Sequence, residues 1–103
     1  MKPNKHELTA IISDKKGRVL SIGKNSYRKT HPIMAHYAEQ AGEPYKVFLH
    51  AEVAAIIKCK DIDKAYSISI FREGRSGNPL NAKPCPICMS AIKSTPIKII
   101  EHT

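Results

Sequence analysis

The sequence predicts an α/β fold in which three helices cover a mixed four-stranded β-sheet. Apolar and polar residues alternate near the N-terminus, as in a half-buried strand, whereas three later segments carry apolar residues at helical spacing. Strands that are separated by helices need crossover connections. We therefore expect the later strands to be parallel and the opening hairpin to be antiparallel. The predicted order is β-β-α-α-β-α-β.

Four segments have the composition of strands. Residues 5–13 alternate in polarity, and the turn sequence Asp14-Lys15-Lys16-Gly17 leads into a second strand at 18–23, which predicts a β-hairpin. Residues 65–71 are rich in isoleucine and aromatic side chains, and residues 97–102 form a similar run. These two runs supply the third and fourth strands.

Three segments have the pattern of helices. Residues 32–41 carry apolar side chains at four-residue spacing and stop at Gly42, which is a common helix terminator. Residues 50–59 combine an apolar stripe with several alanines, which favour helix formation. Residues 85–94 contain Pro86 at an early helical position, where its missing N–H is harmless.

Composition predicts one domain over residues 1–103, because 42% of the side chains are hydrophobic and 25% are charged. Lys and Arg number 17 against 9 Asp and Glu, and the resulting charge of +8 attracts phosphates, nucleic acid or acidic lipid. The sequence has no apolar run near the roughly 20 residues of a membrane span, and its beginning does not resemble a signal peptide. We therefore expect a cytoplasmic protein with no membrane partner.

The three cysteines indicate metal or redox chemistry more than a structural disulfide. Cys85 and Cys88 lie three residues apart at the start of a predicted helix, a spacing that suits a shared metal in a reducing compartment. Cys59 follows an apolar helical stripe, where a small buried thiol is common. We expect Cys59 to belong to the core.

Two short motifs carry the chemistry. His50-Ala51-Glu52 begins one predicted helix, and Pro84-Cys85-Pro86-Ile87-Cys88 begins another. Together they offer three zinc ligands and a carboxylate, and three protein ligands leave a fourth position for water, whose pKa the metal lowers. Residues i and i+2 point about 200° apart in a helix, so His50 and Glu52 are not expected to ligate together. Imidazole is the better zinc ligand of the two.

These motifs resemble the H-x-E and P-C-x-x-C signature of the zinc-dependent nucleoside, nucleotide and nucleic-acid base deaminases, the cytidine deaminase-like superfamily. The element order is also similar, so the resemblance covers nearly the whole chain. It implies a three-layer α/β/α fold with a mixed four-stranded sheet, shortened at both termini. It also implies a Zn²⁺ cofactor.

The resemblance implies a role for each matched residue. The zinc ligands would be His50, Cys85 and Cys88. Glu52 would carry protons to the ring nitrogen and to the departing ammonia. The backbone N–H of Ala51 resembles the family's donor to the base carbonyl, and Pro84 would also line the substrate site. Asn25, in Gly23-Lys24-Asn25, resembles an asparagine that meets the sugar or the base.

The reaction implied is hydrolysis of cytosine to uracil in a free nucleoside or nucleotide, such as cytidine or deoxycytidylate. An adenine ring is an alternative target base. A polynucleotide base deaminase acting on single-stranded DNA or tRNA is one alternative, because the chain is strongly basic. A non-catalytic zinc-binding module is another, in which a fourth side chain closes the site; the candidates are Cys59, His36 and His102.

Further side chains are candidates for the mouth of the pocket. Lys24, Arg28 and Lys29 follow the second strand, while Arg72 and Arg75 lie in the polar loop at 72–83, and either group suits a phosphate. Tyr27 and Phe71 are candidates for stacking on a base, and His31 and His36 for touching the substrate. The last strand has no successor to cover its edge, so we also expect a homo-oligomer.

Overall fold

The structure, a computed structural model, describes five segments of the chain. These are residues 7–26, 30–42, 49–73, 79–80 and 84–103. Within them a β-sheet packs against helices. The Cα radius of gyration of 13.2 Å is that of a compact domain of about 100 residues.

The sheet is mixed, as predicted. Its strands are β1 (Glu7–Ser13), β2 (Val19–Lys24), β3 (Ser67–Glu73), β4 (Pro79–Leu80) and β5 (Ile99–His102). β1 pairs antiparallel with β2 on one side and with β3 on the other. The outer edge of β3 pairs with β5, which is parallel, and with β4, which is antiparallel. The four longer strands confirm the predicted sheet, and β4 is a two-residue addition inside the predicted loop.

The helices begin and end within a residue or so of the predicted bounds. They are α1 (Pro32–Gln40), α2 (Ala51–Lys58) and α3 (Pro86–Lys93), with a short 3₁₀ helix at Ile62–Lys64. His50 and Cys85 have extended backbone, so α2 and α3 start one residue later than predicted. None of the helices in the described segments has the length and apolar composition needed to cross a lipid bilayer.

Two clusters of buried side chains hold the layers together. The first joins the sheet to α2 and α3 and includes Ile12, Ile68, Ala55 and Ile92. The second joins the three helices to one another; its buried members are Met34, Ala38, Val53, Ile87, Cys88 and Ala91. α2 and α3 therefore cover the sheet, and α1 packs on them from outside.

The described helices all pack on one side of the sheet. Strand alternation turns Ala10 and Ile12 toward α2, so Ile11 and Ser13 face the other way. Within the described segments no helix covers that second face, because Met34 and Ala38 bind α1 to the other helices. We call it the open sheet face. By register, its residues are Glu7, Thr9, Ile11, Ser13, Val19, Ile22, Lys24, Ser67, Ser69, Phe71, Ile99 and Glu101.

Close packing between β2 and α2 fixes the start of the helix on the sheet. A Cβ atom on Gly23 would lie 2.5 Å from the carbonyl oxygen of Ala51 and nearer still to the amide nitrogen of Ala55. The Ser21 hydroxyl donates a hydrogen bond of 2.7 Å to the Ala55 carbonyl. The helix backbone therefore rests directly on the strand, and only glycine fits at position 23.

The predicted hairpin turn is present and is held by Asp14. Its carboxylate accepts hydrogen bonds of 2.9 Å from the backbone N–H groups of Lys16 and Arg18. Gly17 has a φ of +84°, a conformation that L side chains rarely adopt. A side chain at Gly17 would meet no atom within 4 Å.

We predict that Gly23→Ala destabilises the protein by about 3 kcal/mol or more, because the atoms it would overlap belong to the helix backbone and move only with α2. Gly17→Ala is the matched control. It adds the same methyl group where there is room, so it should lower the free energy of unfolding by only about 1 to 2 kcal/mol, through its positive φ. Urea denaturation measures both. Equal losses would contradict the packing described for α2.

Candidate metal and catalytic site

The site lies where the N-termini of α2 and α3 meet. His50 is the residue that immediately precedes α2, and Cys85 is the residue that immediately precedes α3. The two helices pack against each other through Val53 and Ile87, among other members of the second cluster. Residues that are distant in sequence therefore meet, and the positive ends of both helix dipoles point toward the site.

Three side chains at this junction form a group that could hold a metal ion: His50, Cys85 and Cys88. The Nδ1 atom of His50 lies 3.2 Å from the Cys88 sulfur and 3.6 Å from the Cys85 sulfur. All three ligand atoms lie within 4.8 Å of one another. A tetrahedral zinc with ordinary bond lengths separates its ligand atoms by about 3.5 to 3.8 Å, so the arrangement fits zinc with little movement.

The two thiols are electrostatically coupled. The Cys88 thiol donates to the Cys85 sulfur, and together with His50 it lowers the pKa of Cys85 to about 3. The pKa of Cys88 is raised, chiefly because its proton serves that hydrogen bond and also because it is buried. The pair therefore contains one thiolate that is already formed. A divalent cation would displace the second proton, since zinc binds thiolates.

Glu52 lies beside this group but does not belong to it. The residue is only 3% exposed, in the first turn of α2. Burial raises the pKa of its carboxyl group above the usual value, while the Cys88 side chain and His50 act in the opposite direction. A carboxyl group whose pKa is moved toward neutrality is suited to accept and return protons.

The end of β2 is tied to the same junction. The Asn25 side-chain oxygen accepts a hydrogen bond of 2.9 Å from the backbone N–H of Leu8, and the Asn25 N–H donates to the Leu8 carbonyl. The Ser26 N–H donates at 2.9 Å to the carbonyl of Leu49, the residue before His50. Asn25 is thereby held at the strand end nearest to the ligand group.

Comparison with known families decides what this arrangement is. The family described as the cytidine and deoxycytidylate deaminase zinc-binding region matches residues 2–101. The chain belongs to this family. The resemblance inferred from the motifs is therefore confirmed, as are the α/β fold class and zinc as the cofactor. No curated protein matches the chain.

Within this deaminase domain, the alternative zinc ligands are not brought to the site. Cys59 is buried in the first cluster and follows the last residue of α2, so the length of the helix separates it from His50. His36 is exposed on α1, and the His102 ring lies 3.0 Å from the carbonyl oxygen of Thr103. Among the described residues, the ligand group therefore holds three members.

Two residues expected near the pocket lie elsewhere in the deaminase fold. Lys24 pairs with Thr9, and Thr9 pairs with Phe71, which places all three on the open sheet face. The expectations that Lys24 borders the mouth and that Phe71 stacks on a base were therefore wrong, because strand alternation turns both away from the helices.

His31 accepts a hydrogen bond from the Ile33 N–H and caps α1. Tyr27, Arg28, Lys29 and Arg75 lie outside the described residues.

The role of Gly23 was not found from the sequence. The glycine was noted only as the first residue of a short motif with Asn25. Its contact with the α2 backbone positions both motif residues, His50 and Glu52. A glycine inside a strand pattern is a general signal of close backbone approach, and this signal was available.

We predict that zinc at 100 times its dissociation constant raises the free energy of unfolding of the wild type by about 2.7 kcal/mol. Cys88→Ala should abolish this gain, because it removes a thiolate ligand. Cys59→Ala is the control and should keep the full zinc response, since Cys59 is a core thiol. Metal analysis should give about one zinc per chain for the wild type and the control. Zinc stabilisation that survives Cys88→Ala would contradict the ligand set.

Proposed function

We propose that the protein is a hydrolase that removes the exocyclic amine of a cytosine ring in a free nucleoside or nucleotide, such as cytidine or deoxycytidylate. The observation that carries the proposal is the buried Glu52 carboxyl group beside a metal-ligand group of three. A structural zinc site is normally closed by four protein ligands, whereas a catalytic site keeps a position open. The thiol pair suits a reducing compartment, which supports a cytoplasmic location.

The metal is assigned to His50 Nδ1 and to the sulfur atoms of Cys85 and Cys88. Zinc, when bound there, would supply an activated water for attack on the ring carbon that bears the amine. The N-terminus of each helix adds a positive dipole end, which offsets the negative charge of the two thiolates.

Glu52 is assigned the proton transfers. Its carboxylate takes a proton from the attacking water and delivers it to the ring nitrogen, then passes a second proton to the departing amine. One C–O bond forms, one C–N bond breaks, and uracil and ammonia are the products. Because the carboxyl group is buried, its pKa is raised, which favours the protonated form.

Three further residues are assigned to the substrate. The Ala51 N–H, at the first position of α2, has no acceptor within its own helix, so it can donate to the carbonyl oxygen of the base. Pro84 is buried directly before Cys85 and would pack against the ring. Asn25 is held by Leu8 in one orientation, which suits recognition of a sugar hydroxyl or the base.

A phosphate-bearing substrate is supported by the position of Arg72. Leu8, whose N–H holds Asn25, pairs across the sheet with Arg72. By alternation along β3, Arg72 shares the helix-covered side of the sheet with Ile70. Asn25 and Arg72 lie two strand spacings apart, a separation of about 10 Å between their backbones. This separation suits a nucleotide whose sugar meets Asn25 and whose phosphate meets Arg72. A guanidinium group binds phosphate with two parallel hydrogen bonds.

A polynucleotide is the second candidate substrate, and the charge of +8 favours it. A basic surface attracts any nucleic acid, and its contribution to binding weakens as salt rises. An unpaired base could enter the same site. The two candidates therefore differ in the salt dependence of turnover and not in the chemistry at Glu52.

We predict that Glu52→Gln lowers kcat by about 10²- to 10⁴-fold while zinc stays bound, because amide nitrogen cannot carry the proton. Glu39→Gln is the control; this glutamate is exposed on α1 and should keep full activity. Release of ammonia measures turnover, and metal analysis measures zinc. A wild type that binds zinc but deaminates none of the substrates offered would support a non-catalytic module instead.

We predict that deoxycytidylate and cytidine are turned over in preference to a single-stranded oligonucleotide, measured at low and at high salt. Arg72→Ala should lower kcat/KM for deoxycytidylate about tenfold more than for cytidine, since only the nucleotide carries the phosphate. Lys60→Ala removes one exposed positive charge elsewhere and should affect both substrates equally. Turnover confined to the oligonucleotide and suppressed by salt would favour the polynucleotide deaminase.

A further inference from the structure

The positive charge of the described residues is concentrated at one end of the fold. Three segments form this end: the hairpin turn at 14–18, the end of α2 with the 3₁₀ helix at 58–66, and the end of α3 with the loop after it at 93–98. We call their combined surface the basic pole. Its basic side chains are all exposed: Lys15, Lys16, Arg18, Lys58, Lys60, Lys64, Lys93 and Lys98. The three acidic residues there are Asp14, Asp61 and Asp63, so eight positive charges meet three negative ones and the net charge is +5.

Backbone hydrogen bonds join the three segments at the end of the sheet. The Tyr66 N–H donates at 2.9 Å to the carbonyl of Ser13, the last residue of β1. The Lys98 N–H donates at 2.9 Å to the Tyr66 carbonyl. Residues that are distant in sequence therefore lie side by side along the edge where β1 ends and where β3 and β5 begin.

The two helices that cover the sheet also end at the basic pole. The start of α2 lies over the end of β2, where Gly23 contacts Ala51. The helix then runs back along β2, so its last residue, Lys58, lies toward the hairpin turn. α3 ends at Lys93, and the chain continues into β5, whose first residue pairs with Ser67 at the start of β3.

The basic pole and the metal-ligand group lie at opposite ends of the molecule. The ligand group is at the N-termini of α2 and α3, and the pole is at their C-termini. Leu8, which holds Asn25, is separated from Ser13 by five residues of β1, or about 17 Å. Outside the pole, acidic residues outnumber basic ones in the described segments: Glu7, Glu39, Glu52, Glu73 and Glu101 against Lys24 and Arg72.

Ordinary structural roles account for only part of this charge. Lys58 and Lys93 lie in the last turns of α2 and α3, where a cation offsets the helix dipole. Arg18 forms an ion pair of 2.9 Å with Asp14. The other five lysines of the pole end neither helix, and among the described residues none of them forms an ion pair. Because like charges repel, a cluster of this kind favours a partner that carries negative charge.

The shape and composition of the pole favour a nucleic-acid duplex as that partner. Four strands spaced about 4.8 Å apart make the pole about 14 Å wide, and a duplex carries one negative charge per about 1.7 Å of its axis, so several phosphates fit across it. Proteins that bind single strands stack bases on aromatic side chains, whereas the only aromatic residue of the pole, Tyr66, is half-buried.

The same composition disfavours a membrane surface. Helices and segments that lie on a lipid surface place exposed apolar side chains among their cations. None of the exposed large apolar side chains of the described residues lies in the three segments of the pole. Val19 and Ile99, which adjoin the pole in sequence, belong to the open sheet face.

We propose that the basic pole binds the phosphate backbone of double-stranded nucleic acid. The duplex is a ligand and not a substrate, since the metal-ligand group faces away from it. The contact is independent of base sequence, because lysine binds phosphate as a point charge. This proposal goes beyond the proposed deamination and does not depend on it. It also assigns much of the positive charge of the chain to a surface other than the substrate site.

Fluorescence anisotropy of a labelled DNA duplex of about 20 base pairs tests the proposal, with the full chain at about 20 to 200 mM KCl. The logarithm of the association constant should fall with the logarithm of the salt concentration with a slope of about −3 to −5, as expected for roughly four or five phosphate contacts. Lys16→Glu, Lys64→Glu and Lys98→Glu change one residue in each of the three segments. Each should weaken binding about three- to tenfold and reduce the slope by about one.

Two control variants separate the pole from net charge and from the substrate site. Lys24→Glu makes the same change in net charge at an exposed lysine outside the pole and should keep the dissociation constant within about twofold. Arg72→Ala removes the cation assigned to the substrate phosphate and should also leave duplex binding unchanged. Zinc stabilisation of each variant shows that it is folded.

Four results would overturn the proposal. The first is no binding of the duplex even at low salt. The second is an equal loss in Lys24→Glu and in the pole variants, which would mean that net charge alone acts. The third is a loss in Arg72→Ala as large as in the pole variants, which would place the nucleic acid at the substrate site. The fourth is binding to vesicles of phosphatidylserine and phosphatidylcholine in preference to the duplex. No turnover is measured in this experiment, so its outcome is distinguishable from failure of the proposed enzyme.

Discussion

The contact between the α2 backbone and β2 is the constraint on which the rest of the structure depends. Gly23 lets the helix lie against the strand, and Ser21 fixes it there with a hydrogen bond to the Ala55 carbonyl. His50 immediately precedes that helix and Glu52 lies in its first turn, so the distance between α2 and the sheet fixes both positions. The cysteines of α3 then meet His50 because α3 packs against the same helix. The metal centre is therefore a product of backbone packing.

Different neighbours control the two ionisable groups of the centre. The pKa of Glu52 is raised by its removal from water, whereas the Cys85 thiolate is stabilised by a donor from Cys88. Both groups occupy one small volume at the positive ends of two helices. A divalent cation there would balance the charge of the two sulfurs, and the proposed proton transfers would rest with the Glu52 carboxyl group. The different surroundings of these groups are the basis for proposing that the sulfur atoms bind the metal and that Glu52 transfers protons.

Features of this molecule that depend on local patterns could be predicted from its sequence, whereas features that depend on packing between distant segments could not. The elements follow from local patterns, and the zinc-binding family from two motifs at helix starts. Residues that depend on long-range packing were harder. Lys24 was expected at the pocket because it lies at the end of the second strand, yet strand alternation turns it away from the helices. The placement of α1 over the other helices depends on Met34 and Ala38, whose partners come from distant segments. The assigned roles of Asn25, Ala51 and Pro84 stay predictions.

The topology of β3 also constrains how the chain assembles during synthesis. β3 is central: it pairs with β1, which lies far upstream, and with β5, which follows it. The β1–β2 hairpin can form early from local contacts, but it has no neighbour to pair with until residue 73 has left the ribosome. His50 emerges well before Cys85 and Cys88, so a nascent chain holds one ligand for a long interval. All three ligands are present only after α3 has been synthesised, so a metal held by the full ligand group must bind after that point.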